Sequence, residues 1–217
     1  MNSQIINNNG YTDPIWNLLT ILSLVTIHDE NETRKDMDIH SHLELFSTFL
    51  TSLHSLLSSK SRIVIPMYDL SSIMTCTLSI ELFTWMYQVR KQLDPFFIIT
   101  EMQYKSYYFP THPNEHPSGL LTKDVWGAYF WKAIHHLAKQ HYPTELLSST
   151  FSSLFQILPC NICKKHALEY ITTHPLVMNP RDHFEWTVIF HNEVSRRVNE
   201  TYGTRKKIYQ LIDASKL

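Results

Sequence analysis

The sequence has few glycines and cysteines, and it lacks any long apolar run. Its 217 residues include four glycines and three cysteines. Three cysteines are too few for a scaffold held together by disulfides. No stretch approaches the ~18 consecutive apolar residues of a transmembrane helix, and the N-terminus lacks the basic and apolar regions of a secretory signal. We therefore expect neither a membrane partner nor secretion.

Neither positive nor negative charge is in excess in this sequence. The chain carries 19 Lys and Arg against 20 Asp and Glu, which gives no electrostatic reason to expect nucleic acid as a partner. Hydrophobic residues make up 43% of the chain, enough to bury a core in one or two domains. They recur at helical spacing over long stretches without Gly or Pro, so we expect an all-α protein.

A proline-rich stretch divides the chain. Residues 105–122 contain three prolines and a glycine without helical periodicity, as expected of a linker. We predict a helical domain in residues 1–110 and a second domain in residues 118–217. The second domain is predicted to be a four-helix bundle with a fifth helix outside it. The predicted helices are one ending before Pro143, one from Thr144 to Leu158, one that carries Cys163 and ends before Pro175, one from Arg181 to Gly203, and a last one from Lys206 to Lys216.

Cys160 and Cys163 form a Cys-x-x-Cys pair directly after Pro159. Two thiols at this spacing form a disulfide, bind zinc or have no special role. Because residues 164–170 are predicted to be helical, the pair falls in the first turn of a helix, where the helix dipole stabilises a thiolate. This position favours redox chemistry. Zinc bound by Cys160, Cys163 and His166 is an alternative, although structural zinc usually takes ligands from two separated pairs.

Two further motifs flank the cysteine pair. Trp131 and His135 are four residues apart and share a helix face, and His191-Asn192 lies on the last helix of the bundle. Polar groups that point into a bundle cost free energy unless they have partners. A dinucleotide would provide such partners, whereas core packing is the simpler explanation for a Trp at helical spacing.

The order Trp-x-x-x-His, Cys-x-x-Cys, His-Asn-x-Val resembles the Erv/ALR family of FAD-dependent sulfhydryl oxidases. The matching residues, between about 120 and 203, are Trp126-Gly127, Phe130-Trp131, His135, Pro159 to Cys163, Trp186 and His191 to Val194. The family usually has Asn where this chain has Ser195, and the Tyr142-Pro143 pair lies about one residue further on than in cellular members. The two-part layout is most similar to that of baculovirus-type members, which pair an active bundle with a pseudo-domain.

This resemblance implies an FAD-dependent thiol oxidase that uses oxygen to convert dithiols of substrate proteins into disulfides, with release of hydrogen peroxide. It implies that substrate attacks Cys160 and that Cys163 lies next to the flavin. The implied FAD contacts are Gly127, Trp131, His135, Trp186, His191, Asn192, Val194 and Arg196. We further expect a homodimer in the host cytoplasm, the nucleus or the virion. The C-terminal Ser-Lys-Leu matches a peroxisomal address in only three residues, and we interpret it as fortuitous.

The first half contains a weak repeat of these motifs, in which the apolar positions are kept and the redox and cofactor groups are lost. The corresponding residues are Trp16 and Trp131, Thr20 and His135, Ser58 and Cys160, Ser61 and Cys163, and Met86 and His191. This repeat predicts a degenerate duplicate bundle without cofactor, although the sequence patterns of any two sets of amphipathic helices are somewhat similar. An alternative is that the second half has also lost its redox and cofactor groups in function, in which case the protein would be a scaffold that binds no flavin. Cys76 is expected to be a buried core thiol.

Overall fold

The computed structural model describes residues 13–26, 39–60, 70–76, 79–93, 97–108, 123–176 and 179–211. Within these ranges the chain forms eight α-helices and two short 3-10 helices, Leu70–Thr75 and Pro180–Asp182, and contains no strand. The α-helices are α1 (Pro14–Thr26), α2 (Ile39–Ser58), α3 (Ser79–Leu93), α4 (Glu101–Tyr108), α5 (Lys123–Lys139), α6 (Thr144–Gln156), α7 (Asn161–Thr173) and α8 (His183–Tyr202). The prediction of an all-α protein is confirmed.

Local side chains determine where the first helix begins. The Asp13 carboxylate accepts the N–H groups of Ile15 at 2.8 Å and Trp16 at 3.0 Å. Pro14 occupies the first helical position, where an N–H group would have no helical partner in any case. The start of α1 is therefore encoded by two adjacent residues.

The predicted linker begins too early, because residues 105–108 belong to α4. Thr100 and Gln103 form a reciprocal capping box at the start of this helix. The Gln103 side-chain oxygen accepts the Thr100 N–H at 2.9 Å, and the Thr100 hydroxyl accepts the Gln103 N–H at 3.3 Å. Tyr104 and Tyr108 then bury their rings in the core. Residues 109–122 lie outside the described residues.

Prolines and one glycine delimit the helices of the second half. Pro143, Pro159 and Pro175 follow the ends of α5, α6 and α7. Gly203 ends α8 with a left-handed φ of 62°, which glycine adopts without steric cost. The four helices predicted for this half are present. In the described part of the chain, no helix is both long enough and apolar enough to cross a membrane.

A fifth helix was predicted from Lys206, and this start is wrong because residues 203–210 are not helical and the described chain is helical again only at Leu211. We call this segment the C-terminal strap. Its backbone bonds to side chains of α8 instead of forming helical hydrogen bonds. Asn199 Oδ1 accepts the Lys206 N–H at 2.6 Å, and Nδ2 donates to the Lys206 carbonyl at 3.0 Å. Asn192 pairs in the same way with Tyr209. Residues 212–217 lie outside the described residues.

The two halves of the chain pack together through their first two helices. Helix α1 packs against α5, and α2 packs against α6. The Thr150 hydroxyl of α6 donates to the Ser52 carbonyl of α2 at 3.2 Å. Buried apolar residues of both halves belong to one hydrophobic core. The division into domains at residues 110–118 stays a prediction, as does their origin by duplication.

Protein side chains fill the space beside Thr20, the first-half counterpart of His135. The Thr20 hydroxyl forms a hydrogen bond with the Tyr104 hydroxyl. The guanidinium group of Arg90, which is completely buried, lies 4.3 Å from the centroid of the Phe97 ring. Aromatic and guanidinium groups therefore pack beside Thr20, in the region that the predicted duplication aligns with the flavin site of the second half.

Candidate active site

Cys160 and Cys163 are joined as a disulfide at the N-terminus of α7, with their Cα atoms 5.1 Å apart. Cys160 is the N-cap residue, and its sulfur accepts the N–H of Cys163 at 3.2 Å. The prediction that the pair lies in the first turn of a helix is confirmed. Because this end of a helix favours negative charge, the fold stabilises a thiolate on either sulfur when the disulfide opens.

The disulfide lies at the boundary between core and solvent. Both cysteines are half-buried and pack against the hydrophobic core. Ile162, between them, is 60% exposed. A substrate protein can therefore reach one side of the disulfide, while the other side belongs to the interior of the bundle.

The described residues do not support the zinc alternative. Among them, no three His, Cys, Asp or Glu side chains are grouped so that they could hold a metal ion. Zinc binds the thiolate form of cysteine, and both sulfurs are bonded to each other. His166 is thus left without the two sulfur ligands that the zinc alternative requires.

Ser61, the predicted counterpart of Cys163 in the first half, lies outside the described residues.

Three predicted cofactor contacts line one face of α5. Gly127, Trp131 and His135 follow one another at intervals of four residues. A Cβ atom added to Gly127 would meet no atom within 4 Å, whereas Trp131 is half-buried and His135 is 1% exposed. This face is therefore open at the glycine end and closed at the histidine end.

His191 of α8 lies over the same face of α5. Its ring stacks on that of Trp131, with centroids 4.0 Å apart and planes 6° apart. The His191 and His135 rings are 5.4 Å apart, and Phe190 supports Trp131 from the core at 5.2 Å. The structure thus brings together the aromatic and histidine groups that the sequence motifs singled out.

A chain of hydrogen bonds connects the two histidines to the backbone of α8. His191 Nδ1 lies 3.2 Å from His135 Nε2, and His135 Nδ1 lies 2.8 Å from the Thr187 hydroxyl oxygen. The Thr187 hydroxyl donates to the Phe184 carbonyl at 2.7 Å. Thr187 was not among the predicted site residues. Its only sequence signal is the four-residue spacing that places it on the His191 face of the helix.

Burial keeps both histidines uncharged. Together with the nearby His191 and Lys139, it lowers the pKa of His135 to about 3. It also lowers the pKa of His191 to about 4. At neutral pH each imidazole therefore has one N–H donor and one bare nitrogen that accepts.

Asn192 is next to the stacked rings, but its amide is bonded to the strap. Nδ2 donates to the Tyr209 carbonyl and Oδ1 accepts the Tyr209 N–H, both at 2.8 Å. This pairing places the Tyr209 ring 5.0 Å from the ring of His191. Tyr209 is a second residue of the site that the motifs did not identify, because no local pattern predicts a contact made through the strap.

The other predicted contacts on α8 have partners within the protein. Trp186 is buried, and its Nε1 donates to the His174 carbonyl at 2.8 Å. Val194 is partly buried and packs against the core. Arg196 is at the surface, where its Nη1 lies 3.1 Å from a carboxylate oxygen of Glu193. A role for Arg196 in binding a diphosphate would therefore require it to exchange Glu193 for phosphate.

Cys163 shares a face of α7 with a residue that contacts α8. Tyr170 follows it by two helical turns and so shares its face of α7. The Tyr170 ring lies 4.5 Å from that of Phe190, and Phe190 contacts Trp131. The face of α7 that carries Cys163 therefore points toward α8, whose Phe190 contacts Trp131 of α5.

Two aromatic residues of the family resemblance and the third cysteine are buried in the core. Phe130, Tyr142 and Cys76 are 4%, 7% and 6% exposed, respectively. Burial and the nearby Glu81 raise the pKa of the Cys76 thiol, so this thiol is less readily ionised than an exposed cysteine. The interpretation of Cys76 as a core thiol is confirmed.

The residues on this face fit a flavin. A flat ring system with polar edges needs an aromatic surface and hydrogen-bonding groups of both polarities. The stacked rings of Trp131 and His191 provide the aromatic surface, and the neutral pair of His135 and His191 provides donors and acceptors without a charge. The space beside Gly127 allows a ligand to approach the backbone of α5 closely.

Comparisons with known proteins identify relatives of this chain. Residues 128–212 match the model of the Erv1/Alr family. An "FAD-linked sulfhydryl oxidase" of African swine fever virus, from a Kenyan pig isolate, is 34% identical over 98 residues, covering 39% of this chain and 80% of that protein. The protein of the same name from a Malawian tick isolate is 32% identical over 95 residues, with the same two coverages. No solved structure matches the chain significantly.

Proposed function

The chain belongs to the Erv1/Alr family of FAD-linked sulfhydryl oxidases, and we propose that Cys160 and Cys163 are the disulfide through which it oxidises its substrates. Its activity is the FAD-dependent oxidation of thiols to disulfides, with oxygen as the acceptor. Its viral relatives support the prediction that it is a viral protein. The observation that carries the assignment of the cysteines is their disulfide at the N-terminus of α7.

The reaction begins with an exchange between substrate and enzyme sulfurs. A substrate thiolate attacks Cys160, which forms a mixed disulfide and releases Cys163 as a thiolate. The second substrate thiolate attacks the substrate sulfur of the mixed disulfide, so the substrate disulfide forms and Cys160 leaves as a thiolate. The N-cap position favours this departure, because the Cys163 N–H donates to the Cys160 sulfur.

The chemistry that bound FAD supplies is the transfer of two electrons from the reduced pair to oxygen, with hydrogen peroxide as the product. The protein must then hold the flavin against Cys163. We assign this task to the α5 face of Gly127, Trp131 and His135 and to His191 of α8. Asn192 contributes by holding the strap, and Trp186, Val194 and Arg196 are proposed as further contacts. The α7 face that Cys163 shares with Tyr170 supports this arrangement.

The partners and location are proposed on less specific grounds. Dithiols of folded substrate proteins suit a disulfide beside the exposed Ile162. A homodimer remains a prediction, as does a location in the host cytoplasm, the nucleus or the virion. We propose that the first half supports the second by packing and binds no flavin. The side chains that fill the space beside Thr20 support this role.

Serine variants of each cysteine test the assignment. We expect Cys160→Ser and Cys163→Ser each to abolish oxidation of a small dithiol, measured as oxygen consumption, while visible absorbance shows that FAD stays bound. Cys76→Ser is the matched control and should retain most of the turnover, because this thiol serves packing alone. Full activity in Cys160→Ser would refute the proposed roles, and loss of activity in a folded, yellow Cys76→Ser protein would add a third cysteine to the reaction.

A further inference from the structure

We propose that Thr187 is a positioning residue that fixes the tautomers of His135 and His191 and so makes His191 Nε2 a hydrogen-bond acceptor toward the cofactor. The inference rests on the proposed function, because it concerns the same site. Thr187 acts through His135 and is completely buried. Its role follows from counting the protons along the hydrogen-bond chain.

The first step concerns the single proton of the Thr187 hydroxyl. Its oxygen lies 2.7 Å from the Phe184 carbonyl oxygen. A carbonyl oxygen can only accept, so the hydroxyl proton must point toward it. The Thr187 oxygen therefore has no proton left for His135 and must accept one. His135 Nδ1, 2.8 Å away, is consequently the protonated nitrogen of its ring.

The second step passes this polarity to the next ring. His135 is neutral, so a proton on Nδ1 leaves Nε2 bare. His191 Nδ1 lies 3.2 Å from that bare nitrogen, and two bare nitrogens at this distance would repel each other. His191 Nδ1 must therefore carry the proton and donate to His135. In the neutral His191 ring, Nε2 is then left as an acceptor.

The third step concerns what His191 Nε2 can bind. The ring faces of His191 are flanked by Trp131 at 4.0 Å and by Tyr209 at 5.0 Å, so Nε2 is presented at the ring edge. Across the described part of the chain, the structure records no group that donates to it. A cofactor group that binds there must carry an N–H or O–H, and FAD has such donors on its ring edge and on its sugar hydroxyls.

A role limited to packing makes a different prediction for two substitutions. Thr187→Val keeps the shape of the side chain and removes the hydroxyl, whereas Thr187→Ser keeps the hydroxyl and removes a methyl group. If Thr187 only fills space, Val should be tolerated better than Ser. If Thr187 fixes the tautomers, Ser should be tolerated and Val should not.

The tautomers can be read directly by nitrogen NMR of histidine-labelled full-length protein. We expect both His135 and His191 to be protonated on Nδ1 in the wild type and in Thr187→Ser. In Thr187→Val, His135 Nδ1 loses its acceptor, so both rings should reverse: His135 Nε2 donates to His191 Nδ1, and His191 Nε2 becomes a donor. This measurement does not depend on turnover.

The consequence for the cofactor is measured as the rate at which FAD leaves the holoenzyme on dilution, followed by flavin fluorescence. We expect Thr187→Val to release FAD roughly tenfold faster, the effect of one mismatched hydrogen bond, and Thr187→Ser to stay within about twofold of the wild type. Unchanged tautomers or unchanged release in Thr187→Val would overturn the inference, as would equal damage in Thr187→Ser. A wild type that binds no FAD would instead refute the proposed function, and the NMR result would still decide the tautomers.

Discussion

The Asn192 side chain pairs with both backbone groups of Tyr209, donating to its carbonyl and accepting its N–H, each at 2.8 Å. Asn199, two helical turns later, pairs in the same way with Lys206. The strap therefore runs antiparallel to α8 and is held at two points by primary amides. This explains how a segment without secondary structure keeps Tyr209 against His191.

Removal of one of these points should loosen the strap. We expect Asn199→Ala to increase the rate of tryptic cleavage after Arg205, Lys206 or Lys207 by about tenfold. The variant loses three hydrogen bonds, one from the Thr204 hydroxyl and two with the Lys206 backbone, of roughly 0.5 kcal/mol each. Cleavage sites can be identified by mass spectrometry. Glu200→Ala, an exposed neighbour on the same helix, is the control and should be cut at the wild-type rate. Equal rates in all three proteins would show that the strap is already open in solution.

The neutral histidine pair should make stability depend on pH. The pKa values of His135 and His191 in the folded protein are lowered to about 3 and about 4, below the ordinary ~6.5, so the unfolded chain takes up protons first as the pH falls. The stabilisation is complete above about pH 6.5 and is lost toward pH 4 and below. At pH 5 we expect a loss of about 2 kcal/mol for each histidine.

Urea unfolding at pH 7 and pH 5, without FAD in the samples, measures this loss. The control is the double variant His135→Gln/His191→Gln, which lacks both titrating groups. It should lose less stability between the two pH values than the wild type. Parallel losses in the two proteins would mean that the histidines are charged in the folded state.

Because the space beside Gly127 is open, a substitution there can test cofactor binding without destabilising the fold. Gly127→Leu places its Cβ where no atom of the protein lies within 4 Å, and it removes a helix-interior glycine that costs about 1 kcal/mol relative to alanine. We expect the melting temperature of the FAD-free protein to be unchanged or raised and FAD affinity to fall at least tenfold. Ala128→Leu, one position along on an exposed part of α5, should leave the affinity unchanged. Tight FAD binding by Gly127→Leu would place the cofactor elsewhere.

The second half should depend on the first for its solubility. A fragment of residues 118–217 exposes the faces of α5 and α6 that pack on α1 and α2. We expect this fragment to aggregate or to be depleted of FAD, because large exposed apolar surfaces drive association. Light scattering coupled to size exclusion, with the full chain as reference, measures this. A monodisperse and fully active fragment would show that the first half is not a supporting domain.

Helix boundaries in the second half were predictable because prolines and a glycine lie at the helix ends. Pro143, Pro159 and Pro175 cannot continue a helix that precedes them, and Gly203 tolerates the left-handed φ that ends α8. Helix α4 was missed because the prolines after it dominated the interpretation of its region. The Thr100-x-x-Gln103 capping box was nevertheless visible in the sequence.

The site was predictable where motifs name its residues and not where distant parts of the chain meet. The stacking of Trp131 and His191 joins two motifs that were identified together. Thr187 and Tyr209 carry no such pattern. Their roles arise from a proton that can point only one way and from a backbone pairing across the turn after α8, and both need atomic positions to be recognised.

The pairing of α1 with α5 and of α2 with α6 takes place within one covalent chain. Two separate bundles would associate according to their concentrations, and dilution would take them apart. Tethered halves meet instead at a fixed effective concentration, which for linked modules is on the order of millimolar. The packing of the two halves against each other is therefore the same whether a cell contains a few copies of the protein or many thousands.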